Sequence, residues 1–262
     1  MARTLSEVIA DSLPVEGKLP LVHIADAFHL EDILTSASLL PTRCDVFEED
    51  LLYFFYGRPA YKTRREENAN LLFDFPIVFA LHPGAAPLVR ERAFPVDTGA
   101  FKKGLYANYF HKKTDFDSLE IPSDDESIRK YVGTFYSDNL DYYVGRSTKN
   151  VEIGSTEFTL QGLHELARLP TSPNIQGRVS YDERSSSVEL QFASEMSLKG
   201  NVLAVILPGV FLGEKSIKDK IIEINPKHLE TYDTMHGMGP QGVAAIVYDR
   251  LLTVYRREEL VP

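Results

Sequence analysis

His23, Tyr53, Tyr56, Arg58, Tyr61 and Glu189 are the residues of this chain whose types and settings could do chemistry. The first five fall within residues 19–61, in two short apolar runs where a buried polar group is costly unless it is hydrogen-bonded or faces a cleft. A pocket is therefore expected there. Glu189 sits in Val188-Glu189-Leu190-Gln191-Phe192. A lone glutamate in a strand points to one face, solvent or cleft, while its neighbours point to the other. Taken singly, each residue has a plain reading: solvent exposure for Glu189, a satisfied structural role for His23, core packing for Tyr53 and Tyr61. Taken together they suit a reaction that develops positive charge on a sugar ring. An oriented carboxylate stabilises that charge, and an aromatic face holds a planar leaving group. Glu183 and Glu195 flank Glu189 and would replace it if the strand register shifted.

Several other chemistries lack their residues. The chain has no Gly-rich phosphate loop ending in Lys-Ser or Lys-Thr, no His-Glu-x-x-His, no cysteine pair and no Gly-x-Ser-x-Gly elbow. Residues 236–242 are glycine-rich but follow no strand and contain Pro240, which reads as a connection before the last helix. A metal-dependent nuclease using Asp97 and His111 lacks the ligand spacing of a metal site.

The elements that must position these residues follow from patterning. Thr4 and Glu7 have capping-box spacing ahead of Leu5, Val8 and Ile9, which predicts a helix over residues 4–13. Residues 19–25 read as a strand, followed by a helix N-capped by Asp26, with Leu30, Ile33, Leu34 and Ala37 on one face and Leu39-Leu40-Pro41 at its close. Residues 51–55 and 75–81 are further strands. Residues 92–101 lack periodicity and are expected as a loop of the lid or binding kind. Residues 112–130 read as an acidic surface insertion, with Ser123 to Glu126 capping a helix that starts near Ser127. Tyr131, Phe135, Tyr136, Tyr142 and Tyr143 are expected in the core. Residues 158–169 read as a helix, residues 187–192, 202–207 and 220–224 as strands, and Val243 to Val254 as a final helical stripe.

A chain of 262 residues, 44% hydrophobic and 25% charged, can bury a substantial core. Its formal charge of −10 argues against a long, sequence-blind grip on a phosphate backbone, while leaving room for local basic patches at Lys62, Arg64 and Arg65 and at Lys102 and Lys103. One cysteine, Cys44, and no apolar run near the roughly 20 residues of a membrane span predict a soluble, cytoplasmic protein with no membrane partner.

Leu21-Val22-His23-Ile24, a helix ending near Leu-Leu-Pro, Leu52-Tyr53-Phe54-Phe55-Tyr56-Gly57 with Arg58-Pro59 and Tyr61 behind it, and much later Val188-Glu189-Leu190 resemble the His-Tyr-Glu pattern of ADP-ribosyltransferases. The likeness is to the bacterial toxin and antiphage-defence branch that includes DNA-modifying enzymes. It covers about the first hundred residues and the glutamate strand, and residues 112–184 match nothing in it. The resemblance implies an α+β fold of split, twisted β-sheets with flanking helices, formed as a single domain over residues 1–262 with a variable insertion around 112–184. It implies NAD in the cleft between the sheets, with His23 on the adenosine ribose, Tyr53 or Tyr56 on nicotinamide, Tyr61 in the same binding set, and Arg58 on the pyrophosphate or the acceptor. Glu189 would hold the nicotinamide ribose hydroxyl and stabilise the oxocarbenium-like transition state. The implied activity is mono-ADP-ribosyl transfer to a macromolecular acceptor, nucleic acid or protein, in a toxin or defence setting with an antitoxin or regulatory partner. NAD hydrolysis without an acceptor is a related reaction, and a non-catalytic nucleotide- or protein-sensing module on the same scaffold is the second class.

Overall fold

The computed structural model describes residues 2–60, 71–85, 90–168, 183–235 and 240–262. Among the described residues the protein is α+β. In chain order the elements are α1 (Leu5–Asp11), β1 (Leu21–Asp26), α2 (Leu30–Ser36), β2 (Ser38–Leu39), β3 (Thr42–Cys44), β4 (Glu49–Tyr56), β5 (Pro76–Leu81), β6 (Arg90–Phe94) and α3 (Thr98–Lys102). They continue with α4 (Asp125–Phe135), α5 (Asn139–Tyr143), α6 (Phe158–Arg168), β7 (Glu189–Phe192), β8 (Met196–Ser197), β9 (Val202–Pro208), α7 (Lys215–Ile224), β10 (His228–Tyr232) and α8 (Pro240–Arg257). None of these helices is long and apolar enough to cross a membrane. Two compact units divide the chain: Met1–Lys18, Cys44–Glu49 and Arg90–Gln191 form the first, and Leu19–Arg43, Asp50–Val89 and Phe192–Pro262 the second.

In the first unit, α1 starts as its sequence requires: Thr4 accepts the Glu7 N–H while the Glu7 carboxylate takes the Thr4 N–H, and Leu5, Val8 and Ile9 are buried. The five aromatic residues from Tyr131 to Tyr143 are all buried, as expected of core. One of them reaches toward the candidate site, where the Tyr142 hydroxyl accepts the Val188 N–H at 3.0 Å and so fixes the residue before Glu189. β6 and β7 lie side by side. Residues 92–101 are not a loop: the end of β6 gives way to α3, whose first turn is capped by the Asp97 carboxylate accepting the Ala100 N–H. Residues 112–130 are only partly surface. Leu119 and Ile121 are fully buried, and the Ile121 N–H donates to the Ala93 carbonyl at 3.0 Å. Asp124 caps α4, which begins at Asp125 rather than near Ser127.

The second unit is built on a mixed sheet in the order β10-β9-β5-β1-β4, with β3 also on β4. β9 and β10 run parallel, whereas the pairs β5–β9, β1–β5 and β1–β4 are antiparallel. Every residue of β5 and β9 is buried, which explains their unbroken apolar runs. Residues 220–224 belong to α7 and not to a strand. Ile217, Ile221 and Ile224 recur at helical spacing and are the buried face, so amphipathic period outweighs the β-branched run. Asp26 ends β1 and leads into a 3₁₀ turn without a side-chain cap, and α2 follows from Leu30. Leu39, expected at the close of that helix, pairs instead with Met196 in the two-stranded sheet β2–β8. Tyr61, Lys62, Arg64 and Arg65, and the glycine-rich residues 236–239, lie outside the described residues.

Candidate active site: a buried glutamate and a histidine strand

Glu189 opens β7 in the first unit, and it faces neither solvent nor an open cleft. It is 2% exposed, with Thr98 and Gln191 buried beside it. Period-two alternation puts Glu189 and Gln191 on one face of the strand, and the Gln191 amide donates to Glu189 Oε1 at 2.8 Å. Thr98, the first residue of α3, donates its N–H to Oε2 at 3.0 Å and its hydroxyl to Oε1 at 2.7 Å. The direction of the Gln191 amide is fixed from outside. Arg92 is donor-only and gives Nη1–H to Gln191 Oε1 at 3.1 Å, so the amide nitrogen must face Glu189. Arg92 is held in turn by Glu49, whose two oxygens it meets at 2.7 and 2.9 Å, and its guanidinium lies 4.5 Å from the centre of the Phe47 ring.

The electrostatics pull both ways. Burial, and then the nearby Asp97 carboxylate, push the Glu189 carboxyl up to about 8, against the opposite pull of the Gln191 and Thr98 donors. A carboxyl poised near neutrality inside a donor cage can exchange a proton at working pH, or, once ionised, stabilise developing positive charge. Such perturbed groups concentrate at functional sites.

His23 is in β1 of the second unit. Its Nδ1 lies 2.9 Å from the Tyr53 carbonyl oxygen, which can only accept, so Nδ1 carries the proton. Burial pushes the ring below the ordinary histidine range, and the neutral ring therefore offers Nε2 as a hydrogen-bond acceptor. The antiparallel partners Leu21 and Tyr56 share a face, and His23, two residues from Leu21, shares it too. The His23 ring meets Phe54 edge-on at 5.7 Å, and Phe54 meets Phe192 at 5.4 Å. Tyr53, by the same alternation, points to the other face of the strand and is half-buried. Tyr56 is 4% exposed, and its hydroxyl accepts the Leu19 N–H at 3.0 Å. Arg58 is 2% exposed and follows Gly57, which sits at φ +67° with its N–H on the Pro20 carbonyl at 2.8 Å. A Cβ at Gly57 would lie 2.4 Å from Leu19 Cδ1, so only glycine fits this corner.

Of the other glutamates weighed in sequence, Glu195 is exposed between β7 and β8, and Glu183 lies in a short 3₁₀ turn before β7. Asp97 caps α3, and the His111 Nδ1 accepts the Lys113 N–H at 3.2 Å. No group of three or more His, Cys, Asp or Glu side chains that could hold a metal gathers among the described residues. Thr98, Gln191, Arg92 and Glu49 were missed in sequence. Two local signals mark them: the i, i+2 spacing of Glu189 and Gln191, and Asp97-Thr98 as a helix start. Comparison with models of known protein families gives no match, and comparison with curated proteins gives none either.

Proposed function

We propose that the protein is a cytoplasmic mono-ADP-ribosyltransferase that moves ADP-ribose from NAD to a macromolecular acceptor, with the ADP-ribosyltransferase-like split-sheet fold. The observation that carries this reading is Glu189: a buried strand carboxyl, caged by three donors and pushed up to about 8. In the transfer, the bond between the ribose C1′ and the nicotinamide nitrogen breaks, and its electron pair leaves with nicotinamide. The acceptor nucleophile forms the new bond to C1′ and gives up its proton to water. Ionised Glu189 offsets the positive charge that develops on the ribose. His23 supports the reading through Nε2, an acceptor suited to a ribose hydroxyl. Tyr56, with its hydroxyl already engaged, shapes the strand on the His23 face.

A second reading, a non-catalytic nucleotide- or protein-sensing module, is favoured by one observation: both Glu189 oxygens already have protein partners. Labelled NAD and cell extract separate the two. A transferase labels a macromolecule, and Glu189→Gln lowers labelling at least about a hundredfold, the loss typical of removing a transition-state contact. Nicotinamide release that needs no extract points to hydrolysis. Equal labelling by wild type and variant, or none by either, refutes the transferase, and a calorimetric NAD signal without turnover supports the sensor.

A further inference from the structure

We propose that one end of the sheet in the second unit is a docking surface for a basic, apolar-faced segment of another protein. Six large hydrophobic side chains stand out there, Phe28, Leu71, Leu72, Phe73, Val210 and Met235, each 39–70% exposed. The strand register gathers them. β1 ends at Asp26, which opposes Pro76 at the start of β5, and the antiparallel register of β5 on β9 brings the end of β9 to the same level. β10 runs parallel to β9 and ends there too, with Tyr232 beside Pro208. Phe28 follows β1, residues 71–73 precede β5, Val210 follows β9 and Met235 follows β10. The six therefore form a row across four neighbouring strands, about 14 Å long at about 4.8 Å per strand. Short turns pinned to the sheet present it. The Ala27 N–H donates to the Phe75 carbonyl at 2.8 Å and the Tyr232 hydroxyl to the Pro76 carbonyl at 2.7 Å, while a Cβ at Gly209 would lie 3.6 Å from Asp233 Oδ1.

Covering the six would remove roughly 600 Å² from water, at about 200 Å² for a large side chain. That is the size of the largest apolar patch on an ordinary monomer, about 300–600 Å², and such a patch rimmed by polar groups marks an interaction site. With a partner's matching face the total reaches about 1,200 Å², the lower end of specific protein–protein interfaces. A row about 14 Å long fits the apolar stripe of an amphipathic helix of about ten residues, at about 1.5 Å per residue. The rim sets the partner's charge. Asp32 and Glu214, which follow Phe28 and Val210 in the chain, and Asp233, which precedes Met235, are exposed and have no ion-pair partner among the described residues. Of the lysines on α7, Lys215 is taken by Asp219 at 2.5 Å and Lys220 by Glu31 at 3.6 Å, which leaves Lys218. A segment whose apolar face is flanked by Lys or Arg complements this rim. A second copy of the chain would set the same carboxylates against their own images, and an anionic membrane would repel them.

Docking here needs no NAD and stands apart from the transferase reading. The test is fluorescence anisotropy of the full chain, without NAD, with a labelled helical peptide of about 18 residues that carries leucine on one face and lysine on the other. A twin peptide with glutamate in place of lysine is the charge control. The lysine peptide should bind saturably. Phe28→Ser/Met235→Ser should weaken it at least about tenfold, and Glu214→Gln/Asp233→Asn about threefold. All four side chains are exposed, so these variants keep the fold, and Leu13→Ser, exposed in the first unit, should leave binding unchanged. Absence of saturable binding, equal binding by either double variant, or equal binding of the glutamate peptide overturns the proposal. So does preferential capture of the wild type by phosphatidylcholine vesicles, or a dimer in sedimentation velocity that Phe28→Ser/Met235→Ser dissolves.

Discussion

Replacing Glu189 with glutamine should shift the protein's stability by an amount that depends on pH, increasingly in the variant's favour as pH rises toward 8. A carboxyl whose folded pKa is raised from 4.5 to about 8 binds its proton more tightly in the folded state. Below pH 4.5 both states are protonated and the burial costs nothing through ionisation. As pH rises from there, the unfolded chain ionises and the folded one resists, so stability falls until the folded group has also ionised near pH 8. At about 1.4 kcal/mol per pH unit, a shift of 3.5 units gives a penalty of about 5 kcal/mol above pH 8 and about 3 kcal/mol at pH 7. Glutamine cannot ionise, so the variant escapes this slope. It brings a fixed cost of its own, because its NH₂ must face one of the Thr98 or Gln191 donors, and that cost does not vary with pH. The measurement is urea unfolding of both proteins from pH 5 to pH 9, scored as the difference between them, which cancels the titrating groups that do not interact with Glu189. The difference should grow in favour of glutamine up to about pH 8 and then level off. A difference that stays constant across that range would mean that Glu189 ionises alike in folded and unfolded chains, and the reading of its cage would be wrong.

Two further outcomes follow from the same geometry. Thr98→Val keeps the N–H to Oε2 but deletes the hydroxyl that donates to Oε1 at 2.7 Å, so it should cost about 1–2 kcal/mol and move the alkaline rise of transferase activity to higher pH; an unmoved pH–rate profile would show that Thr98 does not tune the carboxyl. Gly162→Ala puts a Cβ 2.5 Å from the Tyr109 carbonyl oxygen and 2.8 Å from the Phe110 ring, so a loss of about 1–3 kcal/mol should appear in thermal melting, and an unchanged melting temperature would contradict the close packing of α6 there.

Local chemistry is what the sequence made legible. The Thr4–Glu7 capping box, the aromatic core from Tyr131 to Tyr143, and the strands of His23, Tyr53 and Glu189 could all be read because each signal lies within a few residues. What could not be read depends on distant partners. Glu189 looks solvent-facing in its pentapeptide, and it is buried because Thr98, 91 residues away, supplies two donors while Arg92 orients Gln191 across 99 residues. The strand expected over residues 220–224 failed for a related reason. Ile221-Ile222 favours strand locally, but Ile217, which completes the helical face with Ile221 and Ile224, lies outside that short window. β10, His228-Leu229-Glu230-Thr231-Tyr232, carries only a weak apolar pattern and takes its strand form from parallel pairing with β9.

The Tyr255 hydroxyl donates to the Gly57 carbonyl at 2.8 Å across 198 residues. At about 5–20 residues per second of synthesis, that anchor leaves the ribosome about 10–40 s after the glycine does. β9, the neighbour of β5, is also translated late. The corner that carries Arg58 therefore waits for Tyr255 before this bond can hold it, whereas the strand that carries His23 has both its partners, β4 and β5, by residue 81.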